Sequence, residues 1–339
     1  MKYLQLLVLL LVLSMVFLPL VVAAQDGGGS GQGERQGEGA GRAAKSPPGT
    51  LDFLLTGKYI LFFVLSGVGL VLLLGPWINI WVRLAGLVVA YVLFGDLVYP
   101  LHPSPMCGLT KLFMFKFTQG VFYPAFIAIF LAIFIPSLFG RKLFCGWVCP
   151  LGAFQELINK IPHKFKIKQF SFTAFNTLRF GLVAMFVISF FAVKGQIGEL
   201  GQELGVSQSS GIWRAYSAFS IYDSINFFEI IHLDFTDTLY IVLLIVLVLA
   251  SLVLYRPFCY SMCPIGALTW LLELVVPGKV RVDHSACTQC GDCIEIAPCP
   301  TMAKLVDEKT KAAPDCTSCG ECLNTCPTDA IKFGFTKSS

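Results

Sequence analysis

Five stretches of this chain, at about 57–79, 81–99, 118–139, 176–193 and 238–255, are apolar for long enough to cross a bilayer. No other feature limits the fold as much, since a segment in hydrocarbon must satisfy its own backbone hydrogen bonds, and a helix does so locally. Composition agrees. Of the 339 residues 55% are hydrophobic and 14% charged, where soluble domains carry about 25% charged residues. Trp77, Trp81, Tyr91 and Tyr99 stand near span ends, as interfacial aromatics do. No basic stripe interleaved with aromatics marks a nucleic-acid partner, and the net charge of +4 says little about others.

Ahead of the spans, residues 1–24 have a signal layout: Lys2, an apolar run from Leu4 to Val22, then Ala23 and Ala24. The run exceeds the usual signal core of about 7–15 residues, so the segment reads either as a signal peptide or as an anchor helix. Residues 25–50, rich in Gly, Glu and Gln, read as a disordered outer linker. Basic residues set the orientation. Arg141, Lys142, Lys160, Lys164, Lys166 and Lys168 lie between the third and fourth spans, with Arg179 at the far edge. The flanking loops hold only Lys111 and Lys116, and Lys194 and Arg214. The positive-inside rule therefore puts 140–175 and the C-terminus in the cytoplasm. The lysines near His163 are expected to meet anionic lipid headgroups.

The chain carries thirteen cysteines. Two residues separate Cys287 from Cys290 and Cys290 from Cys293, and Cys299 follows, before Pro300; Cys316, Cys319 and Cys322 repeat the spacing, and Cys326 follows, before Pro327. Three close thiolates plus a remote cysteine before proline form the ligation pattern of bacterial two-cluster ferredoxins, in which the remote cysteine serves the other cluster. The expected sets are Cys287, Cys290 and Cys293 with Cys326, and Cys316, Cys319 and Cys322 with Cys299, each around one [4Fe-4S] cluster. Zinc, the other metal that paired Cys-x2-Cys motifs hold, needs four ligands rather than two sets of three plus Cys-Pro. Residues 276–339 are thus expected to form a small α+β ferredoxin domain after an all-α integral membrane domain at 51–275.

Four more cysteines form a repeat. Phe144-Cys145-x3-Cys149-Pro150-Leu151-Gly152-Ala153 recurs as Phe258-Cys259-x3-Cys263-Pro264-Ile265-Gly266-Ala267, with Arg141 and Arg256 ahead of the two copies. Repeats in membrane proteins place shared sites at their interface, and two cysteines from each copy make the four that a third [4Fe-4S] cluster needs. Cysteines four apart can share one helical face, and the following proline is expected to stop the helix. Small residues that pack helices or dock the tail are the competing reading.

Twin Cys-x3-Cys-Pro motifs at the inner ends of spans, followed by a two-cluster ferredoxin, resemble the membrane polyferredoxin family over about 57–330. The layout is most similar to the NapH-type quinol dehydrogenase subunits; NosR- and CcoG-type proteins share the motifs. NosR-type proteins carry an outer flavin domain, where this chain has only its linker. The resemblance implies a bacterial inner-membrane protein, with quinone and other redox subunits as partners. One departure stands out: five residues separate Cys293 from Cys299, where three are usual.

Two outer residues are candidates for quinol chemistry. His102 titrates near neutrality and could accept a proton, and Asp96 is an acid at membrane depth; a turn residue and an interfacial acid are the plainer readings. Cys107, the thirteenth cysteine, stands where the family has Cys-Pro and this chain has Cys107-Gly108. The aromatic loop 194–237, with Trp213, Tyr216, Phe219, Tyr222, Phe227 and Phe228, reads either as a surface helix or as a docking face. His163, His232 and His284 lack the Cys-x2-Cys-His context of attached haem. The expected function is electron transfer between cytoplasmic-side clusters and quinone or a partner subunit; an accessory protein supplying electrons for metalloenzyme maturation, or a redox sensor, are the other classes open.

Overall fold

The computed structural model describes residues 49–335, apart from 76, 96–97, 100, 102–103, 163, 168–169, 205–221, 223–225, 232–237, 274 and 308–314. The signal segment, nearly all of the linker, Asp96, His102, His163, His232, Trp213, Tyr216 and Phe219 lie outside the described residues. Helices dominate: α1 (Thr50–Leu54), α2 (Gly57–Leu74), α3 (Ile80–Phe94), α4 (Pro105–Gln119), α5 (Pro124–Gly140), α6 (Leu143–Trp147), α7 (Pro150–Asn159), α8 (Phe172–Leu204), α9 (Phe227–Ile230), α10 (Thr238–Val253), α11 (Pro257–Ser261) and α12 (Pro264–Glu273). The tail adds β1 (Lys279–Val282), α13 (Asp292–Ile296), α14 (Thr301–Val306), a 3-10 turn at Leu323–Thr325 and β2 (Ile331–Gly334).

Helix α2 shows what kind of surface these helices present. Tyr59, Phe62, Ser66, Gly69 and Leu73 are buried, while Ile60, Val64, Val68 and Val71 on the other face are exposed. A helix apolar on both faces is suited to lipid on the outside and protein on the inside. Among the described residues two helices are long and apolar enough to cross a membrane, Gly57–Leu74 and Phe172–Gln196. Ile80–Phe94, Pro124–Gly140 and Tyr240–Val253 are apolar but shorter. Each of the five expected stretches thus carries an apolar helix, with different bounds. The stretch expected at 176–193 is part of α8, a helix of 33 residues.

The segment before α5 departs most from expectation. Residues 99–113, whose three prolines predict a stiff irregular turn, instead run into helix α4. Ser104 caps it by accepting from the Cys107 N–H at 3.1 Å, and Pro105 occupies its first turn. These are helix-start signals. Gly120, in the left-handed region at φ 74°, ends it, and α5 starts afresh at Pro124.

The two Cys-x3-Cys-Pro copies fold alike. Each follows an arginine at positive φ, Arg141 at 58° and Arg256 at 48°. Each first cysteine sits in a five-residue helix, α6 or α11. The chain then breaks: the N–H groups of Val148 and Cys149 both reach the Phe144 carbonyl at 2.9 Å, and those of Met262 and Cys263 reach Phe258 at 2.9 and 3.0 Å. Cys149 flanks the start of α7, and Cys263 that of α12. A helix does end just before each proline, as expected, and the proline also opens the next one. Lacking an N–H, proline is suited to a first helical position, where that group has no intrahelical acceptor.

The tail closes on itself through β1 and β2, which pair antiparallel with Lys279 opposite Gly334 and Val282 opposite Ile331. It docks on the helical part through the loop at 315–324. Ser318 Oγ donates to the Gly140 carbonyl at 2.7 Å, Trp147 Nε1 to the Ser318 carbonyl at 2.9 Å, and Asn324 Nδ2 to the Ile78 carbonyl at 2.6 Å. At Gly146 the backbones meet so closely that a Cβ would stand 2.2 Å from the Thr317 carbonyl oxygen. Gly146→Ala should therefore lift the tail off, at a cost of about 1–3 kcal/mol as for other overpacked sites. Limited proteolysis in detergent checks this: the variant's tail should be released at lower protease concentration than the parent's.

Candidate functional site

The structure brings Cys145, Cys149, Cys259 and Cys263 to one cavity. Lys142, Asp315 and Thr317 line it on the side of the tail, and Pro105 and Phe228 line it from α4 and α9. Charge bias had put the segments around Pro105 and Phe228 on the face opposite the repeat, yet both reach it. Ser104 and Asn226, both buried, are hydrogen-bonded to each other at 3.2–3.3 Å beside those two residues.

Each copy is held by an arginine. Arg256 Nη1 donates to the Cys145 carbonyl at 2.6 Å, and Arg179 Nη1 to the Cys259 carbonyl at 3.3 Å. Both approaches need the glycine of the repeat. A Cβ on Gly152 would lie 2.9 Å from Arg256 Nη1 and from the Cys145 carbonyl oxygen; one on Gly266 would lie 2.8 Å from the Cys259 carbonyl oxygen. The Gly266 N–H points at Cys263 Sγ, 3.4 Å away.

In the tail, Cys287, Cys290, Cys293 and Cys326 line a second cavity, three from the first run and the remote one from the second. Burial pushes the Cys299 thiol up and the nearby Cys319 and Cys316 push it further, while Cys299 in turn is one of the charges that raise Cys322. The two sets differ in exposure: Cys290 is exposed and Cys287 and Cys326 are half-buried, whereas Cys316, Cys319 and Cys322 are buried. The extra residues between Cys293 and Cys299 form the end of α13 and a loop with buried Ala297.

This donor chemistry fits iron–sulfur clusters. Among the described residues no three His, Cys, Asp or Glu side chains converge tightly enough for a single metal ion. A lone zinc draws its thiolates to about 2.3 Å from one point; thiolates set around an empty space accommodate a larger cubane. Burial, then the neighbouring Cys259, pushes the Cys145 thiol up to about 11, and burial followed by Cys259 and Cys145 pushes Cys263 up to about 12. Thiols this weakly acidic become thiolates only when metal displaces their protons.

Comparison with known proteins bears on the same residues. A 4Fe-4S binding domain model matches the chain twice, at 122–168 and 236–283, one match over each copy of the repeat, and another 4Fe-4S binding domain model matches 314–332. The ferredoxin-type protein NapH of Escherichia coli is 27% identical over 255 residues, 74% of this chain and 76% of that protein. The Escherichia coli protein YccM is 28% identical over 197 residues, 57% of this chain and 52% of that protein. The methylamine utilization ferredoxin-type protein MauN of Methylobacillus flagellatus is 27% identical over 164 residues, 48% of this chain and 50% of that protein. The chain is similar to the NapH-like polyferredoxins. The alignments span about half the length of YccM and MauN and three quarters of NapH. No solved structure matches. With the two long apolar helices, these relatives point to a membrane protein that carries iron–sulfur clusters.

What holds these sites together is a buried charge network that the cysteine patterns do not reveal. Glu156 on α7 accepts from Arg83 Nε at 2.7 Å and Nη2 at 2.9 Å, from Arg256 Nη2 at 2.6 Å, and from the Tyr255 hydroxyl at 2.7 Å. Arg83, Glu156 and Arg256 have no exposed surface. A second group joins the tail. Lys142 pairs with Asp315, which also accepts from Arg179 Nη2 at 2.9 Å; Glu273 lies 3.4 Å from Lys142 and accepts the Asp315 N–H at 3.1 Å. Arg83 is a charge inside an apolar stretch, and the rule that singled out Asp96 applies equally to it. Lys160, expected at lipid, pairs instead with Glu321 of the tail. Cys107 is buried in α4, outside both cavities.

Burial alone would push the Glu156 carboxyl up, but the Arg83 and Arg256 charges outweigh it and hold the group well below the usual carboxylate range. Its contribution to stability is therefore present above the unfolded carboxylate value of about 4.3 and is lost only as pH falls through the lower folded value. Glu156→Gln leaves two guanidiniums buried without their anion and should cost about 3–5 kcal/mol at neutral pH. Thermal unfolding in detergent should show this deficit unchanged between about pH 5 and 8, narrowing only in stronger acid.

Proposed function

We propose that this chain carries electrons between an exposed [4Fe-4S] cluster in its tail and quinone in the membrane, through two buried clusters. Cys287, Cys290, Cys293 and Cys326 would hold the first; Cys299, Cys316, Cys319 and Cys322 the second; Cys145, Cys149, Cys259 and Cys263 the third. Clusters of this kind supply one-electron transfer at potentials tuned by burial and by hydrogen bonds to sulfur. The observation that carries the reading is the strap Asp315–Thr317. Cys316 belongs to the second set, while its neighbours Asp315 and Thr317 line the cavity of the third. The exposure of Cys290 supports the first set as the port for a redox partner.

The protein's own part is to hold these groups and exclude water. Residues 51–275 form the membrane domain and 276–339 the ferredoxin domain, on the cytoplasmic face by the charge bias of residues 141–168. Quinone would approach from the side of Pro105, with His102 and Asp96 as proton acceptors; a quinol gives up two protons with its two electrons, so acceptors are needed beside the electron path.

Anaerobically purified protein should hold about 12 iron atoms per chain, and about 8 after Cys145→Ala and Cys259→Ala together. Full retention of iron in the double variant would remove the third cluster. In lipid vesicles, added quinol should reduce the clusters as followed by EPR, and His102→Gln should slow that step at unchanged iron content. Clusters inert to both quinol and quinone would sink the quinone reading.

A further inference from the structure

Gln155 stands between the two copies of the repeat. It lies on α7 with no exposed surface, three residues after Gly152. Its Oε1 accepts the Phe258 N–H at 3.0 Å, which fixes the orientation of the amide. The Nε2 end therefore faces the other way, toward Cys259 Sγ at 3.4 Å, with a second contact to the Leu151 carbonyl at 3.1 Å. One side chain from the first copy thus pins the backbone of the second and offers a donor to its sulfur.

The second copy does not return the contact. Thr269, three residues after Gly266, turns its hydroxyl to the Ile265 and Gly266 carbonyls at 2.9 and 3.3 Å. The pseudo-symmetric site is asymmetric at this point: Cys259 receives a side-chain amide, and the hydroxyl of Thr269 is engaged within its own helix.

We propose that Gln155 is a positioning residue that raises the reduction potential of a cluster held by Cys145, Cys149, Cys259 and Cys263. The inference rests on the third cluster of the proposed function. An N–H donor aimed at a ligand sulfur is stabilised more strongly when the cluster gains an electron, because the added negative charge spreads onto that sulfur. Removing the donor makes reduction harder.

The test is a redox titration followed by EPR on the full chain, with iron counted in each sample. Gln155→Leu removes all three contacts, and Gln155→Glu keeps the acceptor for the Phe258 N–H but turns an oxygen toward sulfur. Both should disfavour the reduced state by up to about tenfold, which is about 59 mV for one electron, with Glu the larger shift. Thr269→Val should leave the potential in place. The parent chain gives a second readout that needs no variant: made with glutamine labelled with 15N at the side-chain amide alone, it should show nitrogen coupling in pulsed EPR. About 12 iron atoms with unmoved potentials, or with no such coupling, overturns the role of Gln155 alone. About 8 iron atoms in the parent overturns the third cluster and this role with it.

Discussion

Glu156 between Arg83 and Arg256 is the interaction on which the rest of this structure depends. Three charges without exposed surface would each be costly alone, and here a single carboxylate answers two guanidiniums and a tyrosine hydroxyl. The anion stands on α7 and its partners come from α3 and from the turn into α11, so it joins α3 to both copies of the repeat. Arg256 spends its remaining donor on the Cys145 carbonyl. A change at Glu156 is therefore felt at the cysteines without touching them. Arg83 also lies over the Trp147 ring at 4.8 Å, and Trp147 donates to the tail, so the same group reaches the docked domain.

The second charge group works differently. Asp315 of the tail meets Lys142 and Arg179 across the junction with the helical part, where Glu273 at the end of α12 also pairs with Lys142 and Arg141. Buried ion pairs of this kind add little net stability over apolar packing, but they penalise every arrangement in which a partner is missing. Such pairing fixes register. The residues around Asp315 must meet these partners and no others, which keeps one ferredoxin loop against the cavity wall.

Much of the grouping of the cysteines could be read from spacing alone, because spacing is a local property. The crossed set of Cys287, Cys290, Cys293 and Cys326 shares a cavity as the ferredoxin pattern implied. The helix at Pro105–Gln119 was equally local, signalled by Ser104-Pro105, but three prolines drew attention to a turn instead. The reach of Pro105 and Phe228 to the repeat was not legible, since charge bias assigns loops to faces and says nothing of how far a segment dips between helices. Gln155 was hidden for another reason. A glutamine in an apolar helix reads as an ordinary polar position until its two partners, more than a hundred residues away, are known.

The close approach of Thr317 to Gly146 bears on how such a protein is put together. The strap that carries Cys316 is also a wall of the cavity between the twin motifs, and it is sealed by the buried contacts of Ser318, Trp147 and Lys142. A cubane cannot pass a wall packed to this tightness. A cluster held by the inner cysteines, as proposed, would have to be delivered while the tail is still undocked, and the fold would then set the order of assembly: helical repeat first, tail closure last.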